Sequence, residues 1–74
     1  MNEFDLQLKI QDLEYTIPEQ KKEIRRIKSA ISKVEKLGLT PPSELLLKKE
    51  YLEFELKKFK QELKALKKVA ELIK

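Results

Sequence analysis

The side chains of this sequence that could do chemistry are mainly cationic, and the chemistry that suits them is phosphate binding. Lysine and arginine cluster in the first half of the chain and again toward its carboxyl end, and the formal net charge is +4. The same residue types are typical of a solvated helix face, so the clusters also fit a purely structural role. The candidate nucleic-acid contacts are Lys21, Lys22, Arg25, Arg26, Lys57, Lys58 and Lys64.

Catalytic and metal-binding chemistry is not expected from this sequence. It has no cysteine and no histidine, which removes the usual zinc ligands and the most common general base. Its one glycine, Gly38, cannot supply the glycine-rich loop that nucleotide-binding motifs require. We therefore expect a protein that is not an enzyme, with no catalytic or metal-binding residues, no cofactor and no small-molecule substrate.

Two long helices must position the basic residues, because apolar residues recur at heptad spacing in both halves of the chain. The ladder in the second half consists of Leu45, Leu52, Leu56, Phe59, Leu63, Leu66, Ala70 and Ile73. The ladder in the first half consists of Leu6, Leu13, Ile10, Ile17, Ile24, Ile27, Ile31 and Val34, with Gln20 as its one interruption. Each ladder predicts a coiled-coil-like face that the other helix covers.

A dense turn signal separates the two ladders. Gly38 is placed to adopt the left-handed conformation after a helix end, Leu39 to fold back on Val34, and Thr40 or Ser43 to cap the next helix. A connection this short predicts antiparallel neighbours. We therefore expect one all-α helical-hairpin domain over residues 1–74, divided as an N-terminal segment 1–17, a first helix 18–37, a corner 38–43 and a second helix 44–73.

Pro18 predicts a bend or break in the first arm, because proline lacks the amide donor and crowds the preceding turn. Thr16 to Glu19 also has the pattern of a capping box, which favours a fresh helix start. Residues 1–17 have two interpretations: helix, which matches the length of the second arm, or a β-hairpin with a turn at Gln11-Asp12, which their alternating apolar residues allow. We favour helix.

Two further apolar stripes lie away from the ladders, and contiguous exposed apolar residues usually mark an interface. The candidate oligomer or partner interface is formed by Leu47, Tyr51, Phe54, Phe4, Leu8 and Tyr15. We favour a homodimer in which two hairpins complete a four-helix bundle. The alternatives are a three-helix monomer, in which the first segment folds back at Pro18, and a groove for a foreign partner helix.

The corner and the start of the second helix resemble the layout of the small helical-hairpin aspartyl-phosphate phosphatases of sporulation. That family carries the signature Ser-Gln-x-Leu-Asp, whereas the run here is Lys49-Glu50-Tyr51-Leu52-Glu53, so the functional residues of the family do not carry over. The general plan is similar to plasmid and viral hairpin dimers of the repressor-of-primer kind. That resemblance is one of architecture and implies a basic, dimeric four-helix bundle.

These patterns together favour a non-catalytic adaptor that self-associates and presents helix faces to another macromolecule, with a protein partner expected. The alternative function is a small basic nucleic-acid-binding protein that contacts the phosphate backbone. The chain has no apolar run long enough to cross a membrane and does not begin like a signal peptide, so we expect a soluble cytoplasmic protein without membrane contact.

Overall fold

The structure, a computed structural model, describes residues 2–73 as two α-helices, α1 (Glu3–Lys36) and α2 (Ser43–Ile73), packed against each other. The helices are antiparallel, because Lys9 near the start of α1 contacts Glu62 near the end of α2, while Glu23 contacts Lys48. The hairpin is a rod of 56 × 15 × 14 Å. The prediction of an all-α helical hairpin is confirmed.

The amino end of α1 is capped by Asn2. Its Oδ1 atom accepts a hydrogen bond from the backbone N–H of Asp5 at 2.8 Å, which satisfies one of the amides that a helix start leaves without a partner. The carboxylates of Glu3 and Asp5 lie in the first turn, where they complement the positive end of the helix dipole. Residues 3–17 are therefore helical, and the β-hairpin alternative is wrong for this segment.

The helix α1 continues through Pro18 without interruption. The predicted break and fresh helix start at this residue are therefore wrong, and the first segment does not fold back as a third helix. Pro18 is exposed, so the carbonyl of Glu14, which loses its usual amide partner, can be hydrated instead. The continuous apolar ladder on the other side of α1 explains why the helix persists: packing against α2 outweighs the local cost of proline.

The corner between the helices is a Schellman motif, as predicted. Gly38 has a φ of 76°, its N–H donates to the Glu35 carbonyl at 2.9 Å, and the Leu39 N–H donates to the Val34 carbonyl at 3.2 Å. The helix α2 begins at Ser43. The carbonyl of Pro42, just before it, accepts hydrogen bonds from the backbone N–H groups of Leu45 and Leu46 in the first turn. Among the described residues, no hydroxyl of Thr40 or Ser43 caps these amides, contrary to the prediction.

The core is the seam where the two apolar ladders meet. Within residues 2–73 the buried side chains all belong to α1: Leu6, Ile10, Leu13, Ile17, Ile24, Ile27 and Ile31. The ladder of α2 is only half-buried, and its last member, Ile73, is 49% exposed at the open end of the hairpin. The helix α2 therefore covers α1 more completely than α1 covers α2. The ladder of α2 retains apolar surface in contact with solvent.

Gln20 occupies the position that interrupts the α1 ladder. Its Nε2 atom donates to Glu55 Oε1 at 3.0 Å and approaches the Leu52 carbonyl at 3.4 Å. The partly buried amide is thus paired across the seam, which avoids the cost of burying an unpaired polar group.

Candidate interaction surfaces

The first candidate surface is an apolar stripe on the outer side of α2. The predicted residues Leu47, Tyr51 and Phe54 lie together at one-turn spacing and are 65%, 60% and 60% exposed. Sequence reasoning missed two residues on the same face, Val69 and Leu72, although their spacing continues the pattern and could have revealed them. These five residues, which form one group near the start of α2 and another near its end, are called the α2 stripe below.

Polar groups border the α2 stripe and hold its aromatic side chains. The ammonium group of Lys58 lies 5.2 Å from the centroid of the Phe54 ring, within cation–π range. The hydroxyl of Tyr51 donates to Glu55 Oε2 at 3.0 Å, and this hydrogen bond, together with the negative charge of Glu55, raises the pKa of Tyr51 above its ordinary value. A shallow depression of about 260 Å³ lies between these residues.

The second predicted stripe, formed by Phe4, Leu8 and Tyr15, lies on a different side of the molecule. Leu8 is nine residues from the buried Ile17, which is half a turn around an ideal helix, so this stripe faces away from α2. The two stripes therefore belong to different faces of the hairpin and do not form one continuous surface.

The third surface is a basic groove between α1 and α2, with a volume of about 430 Å³. Its cationic side chains are Lys21, Arg25 and Lys28 from α1, and Lys57 and Lys60 from α2. The apolar parts of Ile24 and Leu56 lie between them, and Glu53 is the only acid in the lining. This set of five cations is called the basic groove below.

Three of the seven predicted nucleic-acid contacts therefore lie in the basic groove: Lys21, Arg25 and Lys57. Lys22 and Arg26 point elsewhere and contact Glu19 and Glu23 on their own helix, each at 3.4 Å. Lys58 lies over the Phe54 ring, at the α2 stripe.

Lys64, the remaining predicted contact, is not part of the groove lining. It lies one heptad beyond Lys57 and so continues the row of cations on the same face of α2. Lys28 and Lys60 line the groove but were not among the candidate contacts. Their spacing from Arg25 and Lys57, one helical turn in each case, is the signal that identifies them.

Acidic side chains are scarce in the basic groove, where Glu53 is the one carboxylate of the lining. Within residues 2–73, none of its five cations is in an ion pair, whereas Lys9, Lys22, Arg26, Lys48 and Lys49 each are. Glu53 is turned toward Lys49, which is outside the groove lining, at 3.9 Å. The groove is therefore a concentration of positive charge, with five cations and one carboxylate in its lining.

The part of the chain that the structure describes offers no cluster of acidic side chains that could hold a metal ion. Neither α1 nor α2, over its described length, contains a stretch that is both long and apolar enough to span a bilayer.

The fold and these surfaces define a two-helix hairpin with an apolar stripe and a basic groove. Comparisons with protein-family models, curated proteins and solved structures gave no match for the chain.

Proposed function

We propose that this protein is a non-catalytic helical interaction module that self-associates through α2 and presents its remaining helix faces to another macromolecule. The observation that carries this proposal is the α2 stripe. A helix that packs on one side against α1 and carries exposed apolar residues near both ends of a second face is suited to contact two neighbours. A second copy of the chain is the neighbour that the pattern favours.

The large exposed area of the chain supports the presence of a neighbour that covers part of it. The hairpin exposes 5982 Å². A compact monomer of the same mass would expose only about 4,800 Å². The excess of roughly 1,200 Å² exceeds the approximately 800 Å² that each partner buries in a standard protein interface. A thin rod of this size can therefore lose enough surface to make a stable contact, and pairing would compensate for its small core.

The order of residues along the α2 stripe supports a second copy as the neighbour. If two α2 helices pair antiparallel about a two-fold axis near Phe59 and Lys60, each stripe residue meets a complementary residue of the other copy. The opposed pairs are Leu47 with Leu72, Tyr51 with Val69, Phe54 with Ala65, and Lys58 with Glu62. Tyr51 and Phe54 then face smaller side chains, the two leucines face each other, and the two charged residues of this face attract each other.

A parallel pairing of the same helices is disfavoured by charge. It would place Lys58 beside its own copy and Glu62 beside its own copy, and like charges in contact are repulsive. The antiparallel contact gives two Lys58 to Glu62 pairs for each dimer. The proposed assembly is thus a four-helix homodimer with the two α2 helices at its centre, in which the Phe4, Leu8 and Tyr15 stripe remains outside the contact.

Sedimentation equilibrium over a range of protein concentrations tests this proposal. We expect the mass of two chains for the parent, and the mass of one chain for the double variant Tyr51→Glu with Phe54→Glu. Leu72→Glu should also weaken association, and it is a mild change for the single chain because Leu72 is 86% exposed. Circular dichroism establishes that each variant is still helical.

The matched control is Tyr15→Glu, which places the same charge on an exposed aromatic position of α1 that faces away from α2. It should leave the mass of two chains unchanged. A parent that has the mass of one chain at all concentrations would refute the proposal. So would association that Tyr15→Glu abolishes while Leu72→Glu does not affect it.

A further inference from the structure

The basic groove and the α2 stripe are separate surfaces, so the groove is free for a different ligand. Lys60 in the groove and Tyr51 in the stripe are nine residues apart, which is half a turn around α2. A dimer that forms through the stripe would leave Lys60 and the α1 cations of each hairpin exposed, with Lys57, one turn from Phe54, at the border of the contact. The role of the groove therefore does not depend on self-association.

The positive charge of the groove favours a polyanionic ligand. Five cations line a space of about 430 Å³, and like charges at separations below the Debye length of about 8 Å repel one another. The one acid of the lining, Glu53, leaves the lining with a formal net charge of +4, from five cations and one carboxylate. Bound phosphates would remove this repulsion and release counterions from the ligand, which is the main source of affinity for nucleic acid.

The spacing of the cations indicates an extended ligand with repeated charges. Lys21, Arg25 and Lys28 succeed one another at one-turn intervals and span about 10 Å along α1. Lys57, Lys60 and the exposed Lys64 form a similar row along α2. A strand of a duplex presents a phosphate about every 3.4 Å along its axis, so each row spans about three phosphate intervals. Arg25 adds a guanidinium group that can hold two oxygens of one phosphate.

The groove lining contains no aromatic residue, which favours a double-stranded ligand over a single-stranded one. Proteins that bind single strands stack the bases on aromatic side chains. The exposed aromatic residues of this chain lie on the α2 stripe and on the back of α1, away from the groove. Contacts in the groove would therefore go to phosphates and not to bases. An acidic peptide would place its carboxylates on the same cations, and competition with polyglutamate distinguishes it from a duplex.

We propose that the basic groove, formed by Lys21, Arg25, Lys28, Lys57 and Lys60, binds the phosphate backbone of double-stranded nucleic acid without reading its sequence. Affinity comes from charge neutralisation along two parallel rows of cations. The ligand lies along the groove between α1 and α2.

Fluorescence anisotropy with a labelled 20-base-pair duplex of arbitrary sequence, at salt concentrations between 50 and 200 mM, tests this inference. Five phosphate contacts predict that the logarithm of the binding constant falls with the logarithm of salt concentration with a slope of about −4.5. Duplexes of DNA and of RNA are measured separately, together with a single-stranded oligothymidine of equal length. A duplex of unrelated sequence should bind with the same affinity as the first duplex, within about threefold.

The decisive comparison is between two double variants of equal net charge. Lys21→Gln with Arg25→Gln removes two cations from the groove, and Lys22→Gln with Arg26→Gln removes the same two residue types one position further along α1. Glutamine has a helix propensity close to that of lysine and arginine, so both variants should fold. The groove variant should bind about 100-fold more weakly at 50 mM salt and reduce the slope by about 2, whereas the neighbouring variant should bind within about threefold of the parent.

Three results would overturn the inference. The first is a parent that shows no salt-dependent binding of either duplex. The second is an equal loss of affinity in the two double variants, which would assign binding to net charge and not to the groove. The third is tighter binding of oligothymidine, or displacement of the duplex by polyglutamate at equal charge concentration, which would assign the groove to another class of ligand.

Discussion

Gln20 in α1 donates a hydrogen bond to the carboxylate of Glu55 in α2, with 3.0 Å between Nε2 and Oε1. The other oxygen of Glu55 accepts a hydrogen bond from the hydroxyl of Tyr51, also at 3.0 Å. One carboxylate thus connects the interhelical seam with the exposed α2 stripe. The orientation of the Tyr51 ring, which we place in a self-association surface, is therefore coupled to the packing of the two helices.

The first prediction concerns the ionisation of Tyr51. Its hydrogen bond to Glu55 favours the neutral phenol, so its pKa in the folded chain is raised above its ordinary value of 10.0. By linkage, the stabilisation from this bond is fully present below pH 10 and is lost as the pH rises through the raised pKa of the folded state. Phenolate absorbance measured against pH in a Tyr15→Phe background reports Tyr51 alone.

In that background, adding Glu55→Gln should lower the midpoint of the Tyr51 titration, because the amide carries no negative charge. Glu50→Gln, which removes a carboxylate one residue from Tyr51 without touching its hydrogen bond, is the control and should change the midpoint less. A midpoint that Glu55→Gln leaves unchanged would show that the hydrogen bond does not control the ionisation.

The basic residues show what sequence reasoning could and could not assign. The stretches that form the groove were found from their composition, but Lys21 and Lys22, like Arg25 and Arg26, are adjacent in sequence. Adjacent residues of a helix are about 100° apart, so only one member of each pair can face the groove. Which member does so depends on where around α1 the seam with α2 lies. The apolar ladder drifts around the helix, so the sequence leaves the position of the seam open until the helices are packed.

The corner and the proline illustrate the difference between local and tertiary control. Gly38 was assigned correctly because a left-handed residue after a helix is a local requirement that glycine meets at little cost. The helix break predicted at Pro18 is wrong because the local rule for proline ignores the apolar ladder on both sides of it. The seam holds α1 together across Pro18, and this contribution exists only when α2 is in place.

The second prediction follows from Pro18 in the interior of α1. Pro18→Ala restores an amide donor to the Glu14 carbonyl and removes the steric conflict with the preceding turn. The free energy of unfolding should increase by about 1 to 3 kcal/mol. The midpoint of thermal unfolding, measured by circular dichroism at a fixed protein concentration, should rise by about 4 °C or more.

The control for this prediction is Pro41→Ala in the corner. Pro41 precedes α2 and restricts the unfolded chain, so its replacement should leave stability unchanged or lower it by less than about 1 kcal/mol. If Pro18→Ala instead lowered the free energy of unfolding as much as Pro41→Ala does, the conformation of α1 at residue 18 would depend on proline.

The last prediction concerns the register of the proposed dimer. In the antiparallel contact, Lys58 of one copy lies opposite Glu62 of the other, and the two-fold axis produces this pair twice. Lys58→Glu alone and Glu62→Lys alone each turn both attractions into repulsions, so each should raise the dissociation constant of the dimer by about tenfold. The combined variant Lys58→Glu with Glu62→Lys restores both pairs with reversed sign and should recover most of the parent affinity.

Lys64→Glu makes the same change of charge on the groove side of α2, away from this contact, and controls for net charge, so its dissociation constant should stay within about threefold of the parent value. In a parallel dimer, Lys58 and Glu62 would each lie beside their own copies, and neither a single reversal nor the exchange would change that like-charge contact. Recovery in the combined variant, measured by sedimentation equilibrium, is thus specific to the antiparallel arrangement. Equal dissociation constants for the parent, both single variants and the exchange would contradict it.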